Sequence, residues 1–148
     1  MKKILLSFLV VALVVPAFAQ NAAPVKKIED YIKFKETKYN FGKIKQGVPV
    51  THDFPFTNVG SDVLIIENAT ASCGCTTPQW PKAPISKGKS DKIVAGFNAA
   101  AAGPFSKEIY VKVKGVDYPM PIYITGEVLS AEDFAKLESE KKKSKGKK

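Results

Sequence analysis

The sequence predicts an immunoglobulin-like antiparallel β-sandwich of about seven strands, followed by a short C-terminal helix and a disordered lysine tail. Three observations carry this expectation. Apolar and polar residues alternate with a period of two over several short runs. The connections between those runs are rich in proline and glycine. Helical spacing of apolar residues occurs only near the C-terminus, after Ser130.

The first strand is expected from Tyr31, where Ile32 and Phe34 alternate with Lys33 and Lys35. Tyr39 to Ile44 forms the second, with Gly42 marking a bulge or a close backbone approach. Lys45-Gln46-Gly47 turns the chain into a third strand, Val48 to Thr57, where Val48, Val50, His52, Phe54 and Phe56 share one face. Pro49 and Pro55 remove ladder donors, so this strand runs along an edge or points those positions away from its partner. After the turn at Asn58 to Asp62, the apolar run Val63 to Ile66 reads as a buried strand.

Thr76 to Lys92 reads as a long irregular crossing anchored by Trp80 and Ile85. Ile93, Ala95 and Phe97 form the inward face of the next strand. Phe105 to Val113 alternates cleanly, and Lys114 to Asp117 turns it into a hairpin. The returning strand places Tyr118, Met120, Ile122 and Ile124 on one face and starts along an edge, because Pro119 and Pro121 lie on one backbone side. Ser130 to Asp133 resembles a capping box, and Phe134 and Leu137 follow at helical spacing.

Residues 1–19 have the form of a signal peptide: Lys2 and Lys3, an apolar run from Ile4 to Val15, and the small-x-small site Ala17-Phe18-Ala19. Cleavage there leaves Gln20 first and places the mature chain in the periplasm or outside the cell. Residues 20–30 read as a flexible leader, 31–129 as the sandwich, and 130–148 as the helix and basic tail. All 23 basic residues are lysine. Residues 20–140 hold 15 lysines against 14 acids, so the basicity belongs to the end: Lys141, Lys142, Lys143, Lys145, Lys147 and Lys148. A chain without arginine is poorly equipped for bidentate phosphate and base contacts, which argues against nucleic-acid binding. The basic tail instead suits weak contact with an anionic membrane or polysaccharide.

Cys73 and Cys75 are the only cysteines, one residue apart. They can be bonded to each other, free, bonded to a partner chain or bound to a metal. A disulfide at this spacing closes a small ring, with Gly74 supplying backbone support through unusual dihedrals, and such a bond is expected to be easily reduced. The pair is then either a structural strand end or a thiol redox site. As two thiolates it suits Cu(I), with His52 or Met120 as a conceivable further ligand. His52, the single histidine, sits on an apolar face, where a hydrogen-bonded rim residue is expected. The chain shows no nucleophile elbow, phosphate-binding glycine loop or zinc spacing, and its carboxylates are scattered singly. The leading expectation is a non-enzymatic module with a protein-binding or envelope structural role, a protein partner in the cell envelope being met through an exposed strand edge.

Several motifs occur in order: Phe41-Gly42, Gly47, Phe54-x-Phe56-Thr57-Asn58-x-Gly60, Leu64-x-Ile66, Ser72-Cys73-Gly74-Cys75-Thr76, Pro84-Ile85-x-x-Gly88 and Gly103-x-Phe105-x-Lys107-x-Ile109. Over Tyr39 to Val128 the chain therefore resembles the bacterial domain-of-unknown-function 1573 family. That family is similar to the hydin and major-sperm-protein branch of immunoglobulin-like folds. The resemblance implies a secreted or envelope β-sandwich without an established activity. Many members have Pro-Gly where this chain has Lys87-Gly88, and the glycine keeps the turn.

Overall fold

The computed structural model describes residues 26–145. The expected signal peptide, residues 20–25 of the leader, and Lys147 and Lys148 lie outside the described residues. Among the described residues, a 3-10 turn, Ile28–Asp30, precedes eight strands: β1 (Ile32–Phe34), β2 (Lys38–Lys45), β3 (Val50–Asn58), β4 (Ile66–Ala71), β5 (Thr76–Gln79), β6 (Ser90–Phe97), β7 (Gly103–Val113) and β8 (Met120–Leu129). The helix α1 (Ala131–Lys145) follows. The strands form two four-stranded sheets, β1-β3-β6-β5 and β2-β8-β7-β4.

The alternation maps onto the core between the sheets. Phe54 and Phe56, Ile93 and Ala95, Ile109 and Val111, and Ile122 and Ile124 are all buried there. Each stands two residues from its neighbour, so one face of each strand enters the core and the other stays wet. Gly115, at φ +79°, makes the β7–β8 turn that the sequence indicates. Gly42, at φ +67°, sits in the irregularity between Asn40 and Lys43 of β2. Both prolines of the β8 start face an open side. Tyr123 N–H donates to Thr37 C=O, so Pro121 and Pro119 point the same way, ahead of Lys38, the first β2 residue to pair with β8.

The structure differs from the expectation in six places. Eight strands are present because β5 lies inside the crossing expected to be irregular. It is four residues long, contains Pro78 and pairs only with β6. Cys75 C=O accepts from Asn98 N–H, so Thr77 and Gln79 face β6 and the missing Pro78 donor falls on the outer side. The sandwich is not wholly antiparallel, because β2 pairs parallel with β8. The intervening strands supply the long connection that a parallel pair requires. β3 lies between β1 and β6 and follows the second of its two expected arrangements: Pro49 precedes it, and Pro55 turns its missing donor toward the end of β1, away from β6. Val48 is 48% exposed, so the inward face of β3 begins at Val50. Val63 to Ile66 is not a strand: Val63 is 57% exposed, Leu64 makes an isolated bridge to Ile85, and β4 starts only at Ile66. The leader is ordered at Ile28, which packs into the core. Finally, the lysine tail is not disordered throughout: α1 extends through Lys141, Lys142, Lys143 and Lys145. Lysine and glutamate favour helix, and the Lys136–Glu132 and Lys141–Glu138 pairs bridge successive turns.

Candidate functional site

Two features stand out: the corner that carries the cysteines, and the free edge of β3. At the corner, β4 ends against β7, where Ser72 N–H donates to Glu108 C=O at 2.9 Å and Glu108 N–H donates to Ser72 Oγ at 3.2 Å. The chain then turns into the opposite sheet. Thr76 N–H donates to Cys73 C=O at 3.3 Å, closing a four-residue turn with Gly74 and Cys75 at its centre. Within it Cys73 and Cys75 form a disulfide, with Cα atoms 5.3 Å apart. Gly74 does not supply the unusual dihedrals expected of it: its φ is outside the left-handed region, and apart from its two chain neighbours no atom lies within 4 Å of where a Cβ would sit. The turn is an ordinary one that most residues can adopt.

Thr76 was not singled out from the sequence, and it is the most distinctive side chain of the corner. It is 3% exposed, and its hydroxyl stands 3.7 Å from Cys73 Sγ and 3.9 Å from Cys75 Sγ. Its place directly after the Cys-Gly-Cys motif was the available signal. Cys75 also lines a recess of about 170 Å³ with Phe97, Phe105, the run Ala100–Ala102 and Lys107. The Phe97 and Phe105 rings stack in its wall, with centroids 4.2 Å apart.

The other expected ligands are not brought to this corner. His52 Nε2 is 2.8 Å from Glu36 Oε1, and its ring stacks on Tyr39 at 3.5 Å and meets Phe54 edge-on at 4.8 Å. It is a hydrogen-bonded rim residue on β3, with β6 between it and β5. Met120 opposes Val111 at the start of β8, whereas Ser72 meets β7 at Glu108. Among the described residues, no group of three or more His, Cys, Asp and Glu side chains is arranged to hold a metal ion. With both sulfurs in a disulfide, the pair offers no thiolates for Cu(I) in this state. Lys142 and Lys143 are exposed on α1, and no helix among the described residues is long and apolar enough to cross a membrane.

The free edge of β3 arises because β1 is short. β1 pairs with β3 only from Phe34↔Phe56 to Ile32↔Asn58, and Lys35 N–H adds a bond to Pro55 C=O at 2.9 Å. Upstream, Val50 to Phe54 pairs with β6 alone. Since Pro55 C=O faces β1, the N–H and C=O groups of Thr51 and Asp53 face the same side. Both residues are exposed, and no described strand lies against them. Half-buried Val50, His52, Tyr39 and Phe41 stand beside this edge. Asp53 also pairs with Lys92 at 2.6 Å, a hydrogen bond that raises the lysine pKa. The other edges are blunted. β2 carries exposed Lys38, Lys43 and Lys45, β5 carries Pro78, and Ala69 of β4 is buried in the core beside Val111.

No curated protein matches the chain. Among solved structures it is similar to PapD-like domain 7 of human CEP192, with a TM-score of 0.60 and 9% identity over 88% of this chain and 99% of that one. It is also similar to a protein of unknown function from Porphyromonas gingivalis W83, with a TM-score of 0.58 and 15% identity, covering 66% of this chain and 46% of that one. The VesB protease of Vibrio cholerae gives a TM-score of 0.52 and 16% identity, covering 68% of this chain and 34% of the protease. At these identities the likeness shows the fold alone, a PapD-like or immunoglobulin-like sandwich. A family model described as "Protein of unknown function (DUF1573)" matches residues 32–128, from the first residue of β1 to the penultimate residue of β8, and the chain belongs to that family.

Proposed function

We propose that this protein is an exported binding module of the cell envelope that takes up an extended segment of a partner protein along β3. The observation that supports this reading is the free edge at Thr51 and Asp53, where the other edges are blunted. A strand added there would continue the line of β1 and gain main-chain hydrogen bonds. Alternate side chains of the added strand would meet Val50, His52, Tyr39 and Phe41. The lysines of α1 add weak attraction to an anionic envelope surface.

The test is a photoreactive residue at Pro49, introduced with and without Thr51→Pro. Thr51 N–H faces away from β6, so the proline removes a donor from the open edge and spares the native ladder. The expected result is a discrete cross-linked partner in wild-type background that disappears in Thr51→Pro, with the melting temperature within a few degrees. An adduct unchanged by Thr51→Pro, at unchanged stability, overturns the strand-edge reading.

A further inference from the structure

The Cys73–Cys75 corner carries a second activity, which we infer from the partners of Thr76. A buried hydroxyl normally has a strong hydrogen-bonding partner. Among the described residues, the side chain of Thr76 has only the two disulfide sulfurs as partners, at 3.7 and 3.9 Å, and a disulfide sulfur is a weak acceptor. A thiolate is a charged acceptor, and hydrogen bonds to charged groups are markedly stronger. The hydroxyl is therefore placed to serve the reduced pair better than the oxidised one. It favours breaking the bond and lets either sulfur leave as an anion.

The recess supplies the other half of the site. Cys75 lines it beside Phe97 and Phe105, and Lys107 is the only charged residue of its lining. Apolar walls suit an apolar side chain next to a cysteine in a peptide, and Lys107 favours negative charge developing nearby. The corner thus works as a thiol–disulfide exchange site for a cysteine-containing peptide or protein. A substrate thiolate attacks Cys75 Sγ, forming a mixed disulfide. The Cys73–Cys75 bond breaks, and Cys73 Sγ leaves with the bonding pair, held by the Thr76 O–H. A second substrate thiolate attacks the substrate sulfur of the mixed disulfide, and Cys75 Sγ leaves in turn. One substrate dithiol becomes a disulfide, and the protein pair gains the two electrons and both protons. This activity is independent of the β3 edge, which β6 separates from β5.

The experiment compares wild type, Thr76→Val and Thr76→Ser in three measurements on the mature chain. These are a glutathione redox titration, the rate of reduction by a synthetic dithiol peptide bearing phenylalanine beside one cysteine, and a urea melt of the oxidised protein. In Thr76→Val, the equilibrium constant for reduction and the reduction rate are each expected to fall about tenfold, the scale of one hydrogen bond to a charged group. Thr76→Ser, which keeps the hydroxyl, is expected to stay within about threefold of wild type on the same principle. The oxidised melts of all three should nearly coincide, separating this role from a structural one. A wild-type disulfide that glutathione does not reduce overturns the inference. So does a Thr76→Val protein that titrates and reacts like wild type.

Discussion

Replacing Asn58 should destabilise the sandwich more than any single exposed substitution, and the cost can be worked from its partners. Asn58 is 1% exposed at the end of β3. Its Nδ2 donates to Asp62 C=O at 2.8 Å and to Ile85 C=O at 2.9 Å, while its Oδ1 accepts from Gly60 N–H at 3.0 Å. The side chain thus holds its own turn closed and joins it to a segment 27 residues later. Asn58→Ala strands three backbone groups, two of them in buried surroundings. At ~1–3 kcal/mol for each buried group left without a partner, the expected loss is about 3–4 kcal/mol. For a domain of this size that is roughly 12–25 °C in melting temperature.

Asn58→Asp keeps the shape and replaces two donors with an acceptor that faces two carbonyl oxygens. Burial and those dipoles would raise the carboxyl pKa in the folded state above its unfolded value of about 3.9. The folded state then binds the proton more tightly, so stability is retained below about pH 4 and lost as pH rises through the folded pKa. Urea unfolding of wild type and both variants at pH 4 and pH 7 reads these effects. A loss below about 1 kcal/mol for Asn58→Ala, outside the expected buried-group range, would refute the reasoning. A pH-independent deficit for Asn58→Asp would refute it equally.

Two glycines should separate in the same assay. A Cβ on Gly126 would stand 2.8 Å from the Phe105 ring and 2.8 Å from Gly42 C=O, so Gly126→Ala should cost about 1–3 kcal/mol. Gly74→Ala meets nothing within 4 Å and should stay within about 0.5 kcal/mol of wild type. Deleting Lys141 to Lys148 should leave the melt unchanged and weaken retention on anionic vesicles, with the difference fading as salt rises. Equal retention at low salt would remove any tethering role. Intact mass of the protein purified from its host should show Gln20 as the first residue, and retention of residues 1–19 would reject the expected cleavage.

The core strands were legible because their burial follows a local rule. Phe54 and Phe56, Ile93 to Phe97, and Ile109 to Val113 alternate in sequence and enter the core as that alternation requires. The start of α1 was legible for the same reason: Ser130 Oγ accepts from Asp133 N–H at 3.1 Å within a four-residue signal. β5 was not legible, since a four-residue outer strand with a proline has no room for a period. The parallel pairing of β2 with β8 was hidden as well, because alternation assigns faces and not neighbours. The site shows the same division. The sequence placed two cysteines together and named the strand that carries His52. The tertiary structure decided that Tyr39 and Glu36 occupy the histidine, and that the hydroxyl of Thr76 rests against both sulfurs. It also decided that β1 stops short of Thr51 and Asp53. Each outcome depends on which segments meet across the sandwich, and such contacts are fixed by packing two sheets together, which no local period of the chain encodes.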